Sequence, residues 1–133
     1  MTQPLVYAAT PFRMISQSQE ICDFIESQKG FPVHPLLCLP PERYNYSRPE
    51  TERENIYRVC FGLVDLCDEV WIFGVGGGAC KEYQRARDQG KPTRSLVKVF
   101  DPSWEAYSLK EKYISERYKR IVEEILDLSE LNI

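Results

Sequence analysis

Along the chain, unbroken apolar runs alternate with stretches in which apolar residues return every three or four positions. Leu5 to Ala9 is the first run and is closed by Thr10-Pro11, which suits a buried strand entering a loop. Ser16 and Gln19 then stand at capping-box spacing, and Ile21, Phe24, Ile25 and Gln28 follow with helical period until Lys29-Gly30. Phe31 to Leu39 is apolar but broken by Pro32 and Pro35, so it offers only a brief strand before a loop from Pro40 to Glu50. Thr51 and Glu54 repeat the capping signal, and Ile56, Val59, Cys60, Leu63, Val64 and Cys67 hold one helical face.

The second half repeats the alternation. Glu69 to Gly74 reads as a strand, Ala79 to Gln89 as a helix stopped by Gly90, and Ser95 to Phe100 as a further strand ended by Asp101-Pro102. Strands alternating with helices through short connections predict an α/β fold: a doubly wound parallel sheet of four or five strands with helices on both faces. After Pro102 an amphipathic stripe of Ile114, Tyr118, Ile121, Val122, Ile125 and Leu128 predicts a long C-terminal helix that covers the sheet or pairs with a second subunit. The chain is thus expected to form one domain over residues 1–133, with a core over 1–102 and a helical segment over 103–133.

Charge and cysteine usage narrow the partners. Seventeen basic against twenty acidic residues leave a net charge near -3, so no global field favours nucleic acid. Five cysteines, odd in number and without a CxxC pair, fit a reducing, cytoplasmic setting rather than a disulfide framework. No apolar run approaches the roughly 20 residues that span a bilayer, so no membrane partner is expected.

The chemistry concentrates after the Glu69 to Gly74 strand. Gly76-Gly77-Gly78, followed by Ala79, can take positive φ and let a ligand approach the backbone, while the helix end presents free N–H groups to an anion or sugar hydroxyl; a flexible loop is the competing reading. The run is not a P-loop, since the Gly-Lys-Ser/Thr ending is missing, and it is set apart from the G-x-G-x-x-G fingerprint by its contiguous glycines. Glu82 lies early in the helix, where the dipole favours its ionised form; there it is either a surface acid or a carboxylate able to attack an anomeric carbon.

Other residues are weighed beside it. Tyr7 is either core or site, and Arg13, in the loop after the first strand, is either solvated or a clamp for a phosphate. His34, the single histidine, is read as a satisfied structural imidazole, and Trp71 as packed in the sheet. Cys80, at a helix start, has a place that can depress a thiol pKa. No His, Cys, Asp and Glu cluster has metal-ligand spacing, so neither metal nor cofactor is expected.

Three motifs, in order, carry a resemblance: Val6-Tyr7-Ala8-Ala9-Thr10-Pro11-Phe12, Asp65-Leu66-Cys67-Asp68-Glu69-Val70-Trp71, and Gly78-Ala79-Cys80-Lys81-Glu82 with Gly90-Lys91-Pro92. Over residues 5–100 the chain resembles the nucleoside 2-deoxyribosyltransferase-like superfamily. The resemblance implies a flavodoxin-like (Rossmann-like) fold and cleavage or exchange of an N-glycosidic bond in a nucleoside or nucleotide. It further implies Glu82 as nucleophile, Tyr7 as its orienting partner, and a homodimer or higher oligomer. Thr10, Pro11, Phe12 and Arg13, with Gly76 to Ala79, would hold sugar or phosphate. The polar residue that the family carries on the preceding helix falls on Glu52, Glu54 or Asn55, of which Asn55 is taken as the substrate-binding candidate. Gly76 stands where the transferases have an aspartate that serves the base, and this motivates the alternative of a non-catalytic binding module for nucleotide derivatives.

Overall fold

The computed structural model describes residues 2–44, 50–109 and 116–132, the side chains of 50–52, 108–109 and 116–117 excepted. Among the described residues, β1 (Leu5–Ala9), β2 (Phe31–Val33), β3 (Glu69–Ile72) and β4 (Thr93–Ser95) form one parallel sheet in the order β2-β1-β3-β4. Tyr7 lies opposite Val33 on one side and Val70 on the other, so β1 is hydrogen-bonded along both edges.

Both faces of the sheet are covered, which is why its central strands read as continuous apolar runs rather than as alternation. Tyr7, Ala9, Val70 and Ile72 face α3 (Glu50–Leu66), α4 (Gly77–Asp88) and α7 (Glu116–Asp127). Val6, Ala8 and Trp71 turn to the opposite face and meet α1 (Ser18–Ser27) and α5 (Val97–Phe100) through Ile21, Phe24, Ile25 and Phe100. From β1 the chain runs through α1 to β2 at one edge, then returns through α3 to β3 on β1's other side. This change of direction leaves a crevice above the carboxyl ends of β1 and β3, the place where open α/β sheets take their ligands.

Several elements depart from the sequence reading. The Ser16–Gln19 pair does not cap α1: a 3-10 turn (Phe12–Gln17) precedes it, and Gln17 at the N-cap makes no side-chain capping bond. Cys60 and Val64 of the α3 stripe are buried, but Val59 is 46% exposed. The strand expected over Ser95 to Phe100 lies upstream, because pairing with β3 stops at Ile72 opposite Ser95; beyond it Val97 and Phe100 form a helical turn that reaches the two different cores.

A short helix, α2 (Pro35–Cys38), follows β2, and α6 (Trp104–Leu109) opens the C-terminal segment; residues 45–49 of the Pro40–Glu50 loop, and Ile114, lie outside the described residues. The C-terminal segment joins the core. Ile121, Val122, Ile125 and Leu126 pack with α3 and α4, Ser95 Oγ donates to the Ile125 carbonyl at 2.7 Å, and Glu130 N–H donates to the Ser95 carbonyl at 2.9 Å. Among the described residues no helix is long and apolar enough to cross a membrane.

Candidate functional site

A pocket of about 190 Å³ opens at the crevice. Thr10, Pro11 and Phe12 after β1 and Gly76, Gly77, Gly78, Ala79 and Glu82 after β3 form two of its walls; Arg53, Ile56, Tyr57 and Cys60 of α3, with Pro35 and Leu36, form the third. Its volume is below the roughly 300–1,000 Å³ that encloses a drug-sized ligand. It can enclose a part the size of a sugar and leave the remainder in its open mouth.

The glycines serve closeness rather than positive φ. Gly76 is extended at φ -168°, Gly77 and Gly78 already belong to α4, and the positive-φ glycine is Gly90, at 70° just past the helix end. A Cβ on Gly76 would stand 2.9 Å from Pro11 Cβ, and one on Gly78 would stand 3.2 Å from the Tyr57 ring. Starting α4 at Gly77 brings Glu82 into its second turn and rotates it inward. With Ala79 in the sixth place, Gly74-Val75-Gly76-Gly77-Gly78-Ala79 also satisfies the looser spacing of a dinucleotide turn between strand and helix. The acid that would hold the ribose from the end of the next strand is missing, since β4 ends in Arg94-Ser95.

Glu82 is only 6% exposed, lines the pocket, and leaves Oε2 buried without a hydrogen-bond partner. Burial pushes its pKa up from 4.5 to about 8, with the facing Tyr7 hydroxyl opposing part of that rise. The helix end favours the ionised carboxylate, but dehydration outweighs the dipole because Glu82 lies beyond the first turn, where the dipole's influence fades.

Tyr7, fully buried beneath the pocket, has its own pKa raised by burial and by the neighbouring Glu82 and Cys60. Its Oη is close enough to feel their charge, yet no well-formed hydrogen bond joins it to either side chain, and it too is buried without a partner. Glu82 lines the pocket and Tyr7 does not, so a group entering the pocket meets the Glu82 carboxyl with Tyr7 buried outside the lining.

The remaining candidates separate. Thr10 is buried at the wall and its Oγ1 donates to the Ala8 carbonyl at 3.1 Å. Arg13 is outside the lining: it grips Asp101 and donates to the Val75 carbonyl at 2.7 Å, so it holds the glycine segment in place. Asn55 is exposed and also outside the lining. Arg53 and Tyr57 were missed, although 53, 56, 57 and 60 share one face of α3 at helical spacing.

Cys80 is not activated; burial pushes its thiol up to about 11. His34 is only half satisfied. Its Nδ1 accepts from Leu36 N–H at 3.3 Å, burial pulls its pKa down to about 4, and Nε2 is buried without a partner. Trp71 packs in the sheet and donates from Nε1 to Glu69 Oε1 at 3.1 Å. Among the described residues no group of three or more His, Cys, Asp and Glu side chains is placed to hold a metal ion.

Compared with protein-family models, with curated proteins and with solved structures, the chain matches none. The reading of its function therefore rests on the residues of the crevice.

Proposed function

We propose that the crevice cleaves or exchanges the N-glycosidic bond of a nucleoside or nucleotide, with Glu82 as the reactive carboxylate and Tyr7 as its positioning partner. The observation that carries this is Glu82 itself, a buried carboxyl that lines a sugar-sized pocket at the carboxyl edge of the sheet and leaves Oε2 without a partner. The strand order β2-β1-β3-β4 supports the flavodoxin-like form of the fold, and with it the resemblance noted over residues 5–100.

In this reading the C1′–N bond breaks with its electron pair leaving on the base, and a Glu82 oxygen bonds to C1′ through an oxocarbenium-like transition state. Water or a second base then attacks C1′ and returns the carboxylate. The attacking form is the ionised one, which the positive charge building on the sugar stabilises in a site where burial otherwise disfavours it.

One observation favours a second reading, a binding module without turnover. Glu82 is the one carboxyl among the described lining residues, and Gly76 supplies no acid to protonate a departing base. The deciding experiment incubates the protein with deoxy- and ribonucleosides and their 5′-monophosphates and follows free base by chromatography, with Glu82→Gln alongside. Base release that depends on Glu82 supports the enzyme; release that survives the substitution removes the nucleophile assignment. Binding without release selects the module.

A further inference from the structure

His34 joins β2 to α2 and is only 2% exposed. Pro35, in the first turn of α2, has no N–H, and the N–H groups that follow it turn back to His34. Leu36 N–H donates to His34 Nδ1 at 3.3 Å, while Leu37 and Cys38 N–H groups donate to the His34 carbonyl at 3.1 and 3.0 Å. An Nδ1 that accepts fixes the neutral tautomer with its proton on Nε2, and that Nε2 is buried without a partner. The helix so capped is four residues long, packs against β1, and supplies Pro35 and Leu36 to the pocket lining.

We infer that His34 is an acid-sensitive latch: protonation of its imidazole releases α2, and with it the Pro35 and Leu36 wall of the pocket. The imidazolium carries a proton on both nitrogens, so Nδ1 would meet the Leu36 N–H donor to donor while Nε2–H still found no acceptor. It would also be a charge without water. The ring takes its proton by turning out to solvent, which withdraws the cap, and a single helical turn does not persist unaided. Burial alone acts on the ring and lowers its pKa to about 4; among the described residues no charged or titratable side chain of β1, α1, α2, α3 or α4 contributes, Cys22, Cys38 and Glu82 included. The sensitivity therefore belongs to His34 itself. With the latched ring near 4 and a free imidazole near 6.5, the closed form is fully favoured above about 6.5 and loses ground as pH falls to about 4. The device acts whatever the crevice binds, so it stands apart from the reading above.

As the single histidine, His34 gives one set of imidazole signals, and nuclear magnetic resonance of the full chain tests the latch directly. At pH 7 the ring nitrogens are expected to report the Nε2–H tautomer, and the native signal should not titrate near the ordinary imidazole value. Hydrogen-exchange protection of the Leu36, Leu37, Cys38 and Leu39 amides, corrected for intrinsic rate, should fall roughly tenfold from pH 6.5 to pH 5. Protection of the β1 amides should not fall over this range, since Glu82, with its raised pKa, shifts global stability the other way. His34→Asn keeps an oxygen to cap Leu36 and does not titrate, so its α2 amides should hold their protection. An imidazole that titrates near 6.5 with α2 still protected, protection in the wild type that ignores pH, or the same fall in His34→Asn would overturn the latch. Should His34→Asn fail to fold, the ring titration and the α2 amides of the wild type decide it between them.

Discussion

Arg13 and Asp101, 88 positions apart in sequence, meet through two parallel contacts of 2.8 and 2.7 Å between guanidinium and carboxylate. The same carboxylate accepts from Val75 N–H at 3.1 Å and Ser103 N–H at 3.0 Å, so one buried acid ties the loop after β1, the segment after β3 and the end of α5. The wall of the pocket is therefore set by an ion pair that does not itself line it.

Breaking that pair should cost far more than breaking a surface bridge, because the Asp101 side chain is 0% exposed while Arg13 remains 34% exposed. Arg13→Gln leaves a buried carboxylate with two backbone donors only, and a loss of about 2–4 kcal/mol is expected in urea unfolding. Burial alone would raise the Asp101 pKa, but Arg13 and the two N–H donors bring it below its usual value. The pair's stabilisation is thus full above the ordinary aspartate range and is lost as pH falls through the depressed value. Wild type and Arg13→Gln should therefore converge in stability in strong acid.

Tyr7→Phe separates stability from function. The hydroxyl is buried without a hydrogen-bond partner, so deleting it should leave stability unchanged or raise it by about 1 kcal/mol. Because the hydroxyl opposes the rise of the Glu82 pKa, the same change should push that carboxyl higher still. Ligand turnover in the crevice should fall by roughly tenfold or more, the worth of one positioning contact. Thermal melts set against base release read both effects, and a parallel loss of stability and activity would show Tyr7 to be core alone.

The parts legible in the sequence are those set by local period and by burial on both faces. β1 spans Leu5–Ala9, as the Thr10-Pro11 stop implies, and Ile121, Val122 and Ile125 of the C-terminal stripe enter the core. What local pattern does not contain is the distant partner. Arg13 read as a candidate phosphate clamp because it follows β1, and only the fold brings Asp101 to it. The β-branched pair Val97 and Val99 reads as strand, but among the described residues the sheet offers no partner for it past Ser95. Arg53 shares the helical face of Ile56 and Cys60, so its place beside the pocket follows from spacing on α3, but local pattern does not say that this face borders a crevice.

Two adjacent glycines should behave differently. A Cβ at Gly77 meets nothing within 4 Å, and alanine is the better helix former, so Gly77→Ala should be neutral or raise stability by about 0.5–1 kcal/mol. At Gly78 a Cβ would press on the Tyr57 ring at 3.2 Å and approach Glu82 Oε1 at 3.9 Å. Tyr57 is only half-buried and can move, so Gly78→Ala should keep the fold and weaken ligand binding by roughly tenfold as the wall shifts. Denaturant midpoints and ligand titration of the two variants decide the contrast, and equal ligand affinities would show that the glycine-to-tyrosine contact does not shape the site.

Glu82 gives the sharpest pH signature. Its pKa is raised in the fold to about 8 from an ordinary 4.5. Between those values the native chain keeps a proton that the unfolded chain has released, so this group's contribution makes stability fall as pH rises through the window and level off above about 8. At about 1.4 kcal/mol for each tenfold change in proton affinity, the loss is on the order of a few kcal/mol. Glu82→Gln carries no such proton; its stability should lack that slope and exceed the wild type's at pH 8.5 while the two lie close at pH 5. Turnover should move oppositely in the wild type. If the ionised carboxylate attacks, kcat/KM rises toward a plateau above about pH 8, whereas a carboxyl acting as proton donor would make it fall over the same range. Stability and rate profiles that bend at one shared pH, with both bends absent in Glu82→Gln, would tie the proton that weakens the fold to the group that does the chemistry.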